Sequence, residues 1–196
     1  VKTFIGASAI GYYGDRGEEV LTEQSAKGSG FLSDVCDAWE RASEDLPASI
    51  RHCTVRIGIV LGAGGGALKP LLPLFKLGLG GRVGNGKQWM SWIHIQDLVN
   101  LFIHLLEHPG TAGTFNGVAP HPMTNADFTK ALGSAVHRPT LFPAPAVAMK
   151  LAMGELSSLV LDSQKVSGKK ISEAGFKFQF DYLSDGLNEI AKKKAQ

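Results

Sequence analysis

The sequence predicts an α/β protein built around a parallel sheet. Short segments rich in Val and Ile alternate with longer segments of helical periodicity through roughly the first 120 residues. Glycine-rich loops separate these segments, and 24 of the 196 residues are glycine. Because strand–helix–strand units within one sheet are right-handed and place their strands parallel, this alternation favours a parallel sheet covered by helices.

The first part of the chain contains three predicted strands and three predicted helices. The strands are expected at residues 1–8, 53–61 and 114–119, with a further extended segment at 89–95. The helices are expected at residues 31–46, 67–79 and 97–108. Pro70 and Pro73 should kink or shorten the second helix, and Asp97 is the predicted N-cap of the third.

The remainder of the chain is expected to be mostly helical. Helices are predicted at residues 124–136, 146–156 and 182–193, with a proline-rich stretch at 139–145. Thr124 and Asp127 form a capping-box-like pair at the first of them, with Asp in place of the usual Glu or Gln. The lysines at 192–194 suit a helix C-terminus, and we interpret them as a solvated tail rather than a basic binding patch.

Composition excludes several classes of protein. The chain is 44% hydrophobic and 19% charged, which excludes a disordered chain. The net charge of +2 argues against a dedicated nucleic-acid binder, and no apolar run approaches the ~20 residues of a membrane span. The two cysteines, Cys36 and Cys53, cannot form a disulfide framework and favour the cytoplasm or another reducing compartment.

The start of the chain is unusual for a domain. The sequence opens directly in the apolar segment 1–8, and doubly wound sheets usually have about six or more strands rather than three. We therefore expect upstream strands to be missing. One edge of the first strand should then lie uncovered, unless a missing N-terminal segment or another chain completes the sheet.

Two short motifs match known patterns literally. The loop at 62–67 fits the dinucleotide fingerprint G-x-G-x-x-G/A, but Arg82 stands where its ribose-binding acid is expected, so a surface loop is favoured. His104, Glu107 and His108 fit the inverted zincin pattern H-x-x-E-H, which would indicate a zinc hydrolase. That interpretation is disfavoured because His108 directly precedes Pro109, where a His simply suits a helix C-terminus.

Aromatic residues cluster at two places near strand ends. Trp89, Trp92 and His94 form either a core cluster beside a helix start or the wall of a substrate pocket. Tyr12 and Tyr13 follow the first strand, where they either line a site or cover the sheet edge as turn residues.

Three segments together resemble the extended short-chain dehydrogenases/reductases. They are SAIGYYGD at 8–15, VRIGIVLG at 55–62 and WIHIQDL at 92–98. The doubled Tyr before Gly, the long glycine loop and the block around Trp89 are most similar to the atypical branch called epimerase family proteins. The segments at 116–120, 164–166 and 175–178 resemble that branch's C-terminal domain of unknown function.

The resemblance implies a fold, a cofactor and a substrate class. Residues 1–120 would be the C-terminal half of a Rossmann-type, NAD(P)-binding parallel sheet, from the fifth strand onward. Residues 121–196 would form a small, mostly helical C-terminal domain on the substrate side. The chain would be the C-terminal two-thirds of a protein that binds NADP and acts on a nucleotide sugar or another carbonyl compound. The main cofactor-binding motif would lie upstream of Val1.

The resemblance also implies site residues. The expected cofactor contacts are Ser8, Tyr12, Gly58, Ile59 and Val60; the expected substrate pocket is Trp89, Trp92 and His94; the candidate catalytic residues are Ser8, Tyr13 and His94, with no metal.

The family's usual catalytic pair is absent from the sequence. Active members use Tyr-x-x-x-Lys, in which the Lys lowers the pKa of the Tyr. Four residues after Tyr12, Tyr13 and Tyr182 stand Arg16, Gly17 and Gly186. Two hypotheses follow: an epimerase or reductase that uses another acid, with Tyr12, Tyr13 or His94 as candidates, or a non-catalytic NADP-binding regulatory or scaffold module.

Overall fold

A computed structural model describes residues 1–193, apart from the side chains of Ala152 and Lys193. The strands are β1 (Thr3–Ala9), β2 (Val20–Leu21), β3 (Arg51–Ile57), β4 (Ile59–Leu61), β5 (Trp89–Met90), β6 (Trp92–His94), β7 (Gly113–Gly117), β8 (Met123–Thr124) and β9 (Lys165–Val166). The helices are α1 (Phe31–Arg41), α2 (Leu68–Lys76), α3 (Ile95–Glu107), α4 (Asn125–Ala135), α5 (Ala146–Met153), α6 (Ser158–Leu161), α7 (Lys169–Glu173) and α8 (Leu183–Lys193).

The central sheet has the order β1-β3-β7, and both strand pairs are parallel. Ile5 lies beside Cys53, and Val55 lies beside Phe115. Chain segments that contain α1 and α3 connect the three strands, so the predicted α/β class is confirmed. β1 pairs only with β3 among residues 1–193, which confirms the predicted uncovered edge.

The single strand expected at 53–61 is two strands, because the chain changes partners at Gly58. The Gly58 N–H donates to the Gly117 carbonyl at 3.1 Å, and the Ile59 N–H donates to the Ser91 carbonyl at 2.9 Å. β4 therefore pairs with β6 and leaves the central sheet. A Cβ on Gly58 would lie 2.6 Å from the Ser91 carbonyl oxygen and 2.7 Å from Val118 Cγ1, so the crossing requires glycine.

Several helix boundaries differ from the predictions. α1 ends at Arg41, and the Ser43 hydroxyl donates to the Glu40 carbonyl just beyond the helix end. α5 ends at Met153, because Gly154 adopts a positive φ of 56° and begins a 3₁₀ turn. α2 is limited to nine residues and contains Pro73.

The prediction that Asp97 caps α3 is wrong. His94 is the N-cap, and its Nδ1 accepts the Gln96 N–H at 3.2 Å. Asp97 is fully buried within the first turn, where its carboxylate accepts the N–H groups of Gln179 and Phe180. A buried carboxylate needs donors, and the long-range backbone supplies them here. Thr124 caps α4 as predicted, since its hydroxyl accepts the Asp127 N–H.

Two large clusters make up most of the core. One lies between β3, α3 and β7, and includes Val55, Leu101 and Phe115. The other includes Trp92 and Leu187, and so contains residues from both sides of the domain boundary expected at residue 120. That boundary stays a prediction, and residues 194–196 of the second predicted domain, with Lys194 of the lysine tail, lie outside the described part of the chain. No helix within residues 1–193 is long and apolar enough to cross a membrane.

Candidate functional site

A buried ion pair lies beneath the carboxyl ends of β1 and β3. Arg56 on β3 is 5% exposed and contacts Glu40 on α1 through two hydrogen bonds, Nε to Oε1 at 2.9 Å and Nη2 to Oε2 at 2.8 Å. The Ser8 hydroxyl, at the end of β1, also donates to Glu40 Oε1, at 2.7 Å. Two-point pairing of this kind satisfies charges that burial would otherwise make costly.

Tyr13 extends this network toward β7. Its hydroxyl accepts from Arg56 Nη1 at 3.1 Å and donates to Asn116 Oδ1 at 2.7 Å, and the side chain is fully buried. Burial raises the pKa of Tyr13, although Arg56 and Asn116 act in the opposite direction. Burial also opposes the charge of Arg56, but hydrogen bonds with Glu40 and Tyr13 outweigh it and raise the pKa of Arg56. The candidate acid Tyr13 is thus engaged on both sides by protein groups.

Tyr12 stands at the same edge in a different environment. Its ring is half-buried and lies under the Arg56 guanidinium, whose Cζ is 3.5 Å from the ring centroid. The Tyr12 hydroxyl makes no hydrogen bond with any group in residues 1–193. Of the two neighbouring tyrosines, Tyr12 is therefore the one whose hydroxyl is available to a ligand.

The expected cofactor contacts on β3 and β4 lie at the same carboxyl edge. Gly58, Ile59 and Val60 are half-buried, whereas the preceding run from Cys53 to Arg56 is buried. Ligands of open α/β sheets bind outside the carboxyl ends of the strands. The chain is therefore incompletely covered from Gly58 to Val60.

The residues expected to form the substrate pocket separate in the structure. Trp92 is fully buried in the core, and its Nε1 donates to the His121 carbonyl at 3.1 Å. His94 is also buried, with Nε2 3.2 Å from Glu189 Oε2 and its ring against Phe180.

Trp89 lies apart from these two residues. It is half-buried, and its Nε1 donates to Glu18 Oε2 at 2.6 Å. Lys165 Nζ lies 4.0 Å from the centroid of its ring. Trp89 thus joins the loop after β1 to β5 and β9.

A polar cleft of about 520 Å³ opens beside Trp89. Three segments form its walls: the loop after β1, the loop before β5 and the region from α5 to β9. The lining residues are Asp15, Gly17, Glu18, Val83, Gly84, Asn85, Lys87, Gln88, Ala146, Lys150, Ser157, Ser158, Leu161, Asp162 and Ser163. Its volume is within the range of about 300–1,000 Å³ that is usual for small-molecule sites.

Ser163 holds the three walls of the cleft together. Its N–H donates to Asp15 Oδ1 at 3.1 Å, and its hydroxyl donates to the Gly17 carbonyl at 2.7 Å. The same hydroxyl accepts the Trp89 N–H at 3.0 Å. Gln88 adds a bond from Nε2 to the Val160 carbonyl at 2.9 Å. The cleft is therefore a built feature of the fold rather than a gap between loose loops.

Sequence reasoning missed four residues of these two regions: Glu40, Arg56, Asn116 and Asp162. Arg56 carried a usable signal, because an Arg within a strand rich in Val and Ile must find a buried partner. Glu40, as the partner of Arg56, and Asn116, as the partner of Tyr13, can be identified only once the fold is known. Asp162 carries no local signal, since its place in the cleft depends on contacts with residues almost 150 positions away.

The zincin-like residues do not converge. The His104 and His108 rings stack at 3.9 Å, His104 Nε2 lies 3.1 Å from the Ala174 carbonyl oxygen, and Glu107 is exposed. Within residues 1–193, no group of three or more His, Cys, Asp or Glu side chains is placed to hold a metal ion.

Comparisons with known proteins agree with the motifs. Residues 144–190 match a domain of unknown function, DUF1731. A chloroplastic epimerase family protein of Arabidopsis thaliana is 40% identical over 186 residues, which cover 95% of this chain and 54% of the relative. An epimerase family protein of Mycobacterium leprae is 38% identical over 200 residues, covering all of this chain and 64% of the relative. The chain thus spans between half and two-thirds of the length of these relatives.

A solved structure is also closely similar. The crystal structure of a human epimerase family protein with NADPH is 36% identical, covers 97% of this chain and 65% of its own, and superposes with a TM-score of 0.94. These matches confirm the resemblance that the three sequence segments carry.

Proposed function

The chain belongs to the epimerase family proteins, an atypical branch of the short-chain dehydrogenases/reductases, and from this membership we propose that it binds NADP(H) at the carboxyl edge of β1 and β3. The observation that carries the proposal is the similarity of nearly the whole chain to a human relative whose structure contains NADPH. Gly58, Ile59 and Val60 are half-buried, so their exposed parts are available to contact a nicotinamide ring.

We propose an epimerase or reductase activity on a nucleotide sugar or another carbonyl compound. The bound nicotinamide would supply hydride chemistry, and this chain would supply the groups that bind and orient a ligand oxygen. Tyr12 is the best-placed proton-holding group, because its hydroxyl is uncommitted within residues 1–193 and its ring is fixed under Arg56. In this proposal, Ser8 and Tyr13 hold the ion pair in place, because Ser8 hydrogen-bonds with Glu40 and Tyr13 with Arg56.

The test is a titration of the full-length polypeptide with NADPH, followed by backbone NMR. We expect the amide signals of Gly58, Ile59 and Val60 to shift on addition of NADPH, with weaker or no shifts on addition of NADH at the same concentration. Amides of α4, which packs against α8, serve as the internal control. Shifts confined to other parts of the chain, or no shifts, would overturn the proposed cofactor site.

A second candidate function is a non-catalytic NADP-binding module with a regulatory or scaffold role. The absence of Tyr-x-x-x-Lys, together with the engagement of Tyr13 and His94 by protein groups, supports it. NADPH consumption, which reports reduction, and NMR detection of an epimerised product, which reports epimerisation without net cofactor turnover, separate the two candidates on a panel of nucleotide sugars and carbonyl compounds. Turnover that Tyr12→Phe abolishes while NADPH still binds supports the enzyme; NADPH binding without turnover on any compound supports the module.

We further propose that the protein works in a reducing compartment and that other polypeptide covers β1. Cys36 and Cys53 are both free thiols and buried. The open edge of β1, with Phe4 38% exposed, favours pairing with a strand from a preceding segment or from another chain.

A further inference from the structure

The cleft beside Trp89 holds charged groups that the protein leaves unpaired. Asp15, Glu18, Lys87, Lys150 and Asp162 line it, and none of them takes part in an ion pair within residues 1–193. A cleft of this volume with three carboxylates and two ammonium groups that do not neutralise one another is suited to a polar ligand that bears complementary groups.

The three carboxylates differ in how far the protein already uses them. Asp15 Oδ1 accepts the N–H groups of Ser163 and Gly17, at 3.1 and 3.3 Å. Glu18 Oε2 accepts Trp89 Nε1. The Asp162 carboxylate has no hydrogen bond with any side chain or backbone group in the described part of the chain.

Asp162 is half-buried and is the cleft carboxylate whose oxygens accept no hydrogen bond from the described part of the chain. Burial and the nearby carboxylate of Asp15 raise its pKa, and Lys150 opposes that rise without reaching ion-pair distance. A ligand hydroxyl can donate to such a carboxylate, because each hydroxyl carries one donor proton. The ammonium groups of Lys87 and Lys150 can pair with an anionic group on the same ligand.

We propose that this cleft binds a hydroxyl-bearing anion, whose hydroxyl groups donate to Asp162 and whose anionic group pairs with Lys87 and Lys150. Identification of this ligand with the substrate rests on the proposed function, whereas binding in the cleft does not require NADPH. The cleft is then a ligand site distinct from the carboxyl edge of β1 and β3.

The test uses three probes that separate the two recognition elements. Glucose 1-phosphate carries hydroxyl groups and an anion, glucose carries only the hydroxyl groups, and inorganic phosphate carries only the anion. In calorimetric titrations, we expect glucose 1-phosphate to bind at least about tenfold more tightly than either of the other probes. Equal affinity for inorganic phosphate and glucose 1-phosphate would overturn the role of the hydroxyl groups.

Variants assign the binding to the cleft. Asp162→Ala should weaken glucose 1-phosphate binding about tenfold without weakening phosphate binding, and the Lys87→Ala, Lys150→Ala double variant should weaken both. Asp45→Ala and the Lys130→Ala, Lys177→Ala double variant, at exposed positions outside the cleft, provide charge-matched controls. Loss of binding in the controls, or full binding in Asp162→Ala, would overturn the proposal.

The outcomes also separate this proposal from the proposed cofactor site. Amide spectra of every variant report whether it is folded, so loss of binding by misfolding is recognised directly. NADPH-induced shifts without glucose 1-phosphate binding contradict the cleft alone. Glucose 1-phosphate binding without NADPH-induced shifts contradicts the cofactor site alone.

Discussion

Two polar regions of this molecule both include residues that follow β1, and they differ in whether their charged side chains form ion pairs. Beneath the sheet edge, Arg56 and Glu40 form a two-point ion pair, and Tyr13 connects the pair to Asn116. In the cleft, five charged side chains form no ion pair within residues 1–193. The first region uses its polar groups to hold three elements of the fold together. In the second region, the carboxylate of Asp162 and the ammonium groups of Lys87 and Lys150 have no partner in the described part of the chain.

The difference bears on how functional residues are recognised. Tyr13 and Ser8 have the chemistry of catalytic groups, yet their hydroxyls contact protein atoms. Asp162 lies in no motif, yet its carboxylate is uncommitted within residues 1–193. We therefore predict that the hydrogen bonds a side chain already makes within the protein separate supporting residues from ligand-binding ones better than residue type does.

Among the substitutions considered, removal of Arg56 should cause the largest loss of stability. Arg56→Ala leaves the part-buried Glu40 carboxylate without its cation, and we expect a loss of up to about 3–5 kcal/mol in the free energy of unfolding, measured by urea denaturation. The ion pair of Asp37 with the exposed Arg41 supplies the control: Arg41→Ala should cost no more than about 1 kcal/mol. Equal costs for the two variants would show that the network does not hold the fold together.

The adjacent tyrosines allow a sharper version of the same comparison. Tyr13→Phe removes a donor to Asn116 and an acceptor for Arg56, so it should cost about 1–3 kcal/mol of stability. Tyr12→Phe removes a hydroxyl that has no partner within residues 1–193, so its effect should stay within about 0.5 kcal/mol. Thermal or urea unfolding of the two variants measures the difference. A reversed order would exchange the supporting and ligand-facing roles of the two residues.

Much of the fold could be predicted from local patterns. The segments that became β1, β3, β7 and α3 carry apolar periodicities that determine their type, and the uncovered edge of β1 followed from the small number of strands. The boundaries were less predictable where a long-range contact decided them. Asp97 has the ordinary form of an N-cap, but Gln179 and Phe180 draw its carboxylate into the core.

The candidate site was predicted less well, for a related physical reason. Gly58 was singled out from the resemblance as a cofactor contact, yet what requires glycine there is the close approach of Ser91 and Val118. The cleft was not predicted, because its walls come from three distant segments joined through Ser163. No periodicity or spacing in one segment contains that information.

Of the effects expected at Arg56, Tyr13 and Asp162, that of Asp162 in the cleft should be the smallest, and it should depend on pH. The pKa of Asp162 is raised in the folded chain above its ordinary value of 3.8, mainly by burial and then by Asp15. The folded state therefore binds the Asp162 proton more tightly than the unfolded state does. This contribution to stability is fully present below pH 3.8 and is lost as the pH rises through the raised pKa. Asp162→Asn carries no titrating carboxyl, so it should match the parent protein at low pH and exceed it in stability near neutral pH.

Urea midpoints measured from roughly pH 4 to pH 7 test this sign, with Asp45→Asn as the control for removal of an exposed acid. In an Asp15→Asn background, the gain in stability from Asp162→Asn should be smaller, because the Asp15 charge contributes to the raised pKa of Asp162. The amide oxygen of Asn at position 15 can still accept the Ser163 N–H. Lys150→Ala should widen that gain, since Lys150 opposes the rise. An Asp162→Asn variant that is less stable than the parent near neutral pH would mean that the carboxylate already has a partner in the protein. The proposed difference between the paired charges of Arg56 and Glu40 and the unpaired carboxylate of Asp162 would then not hold.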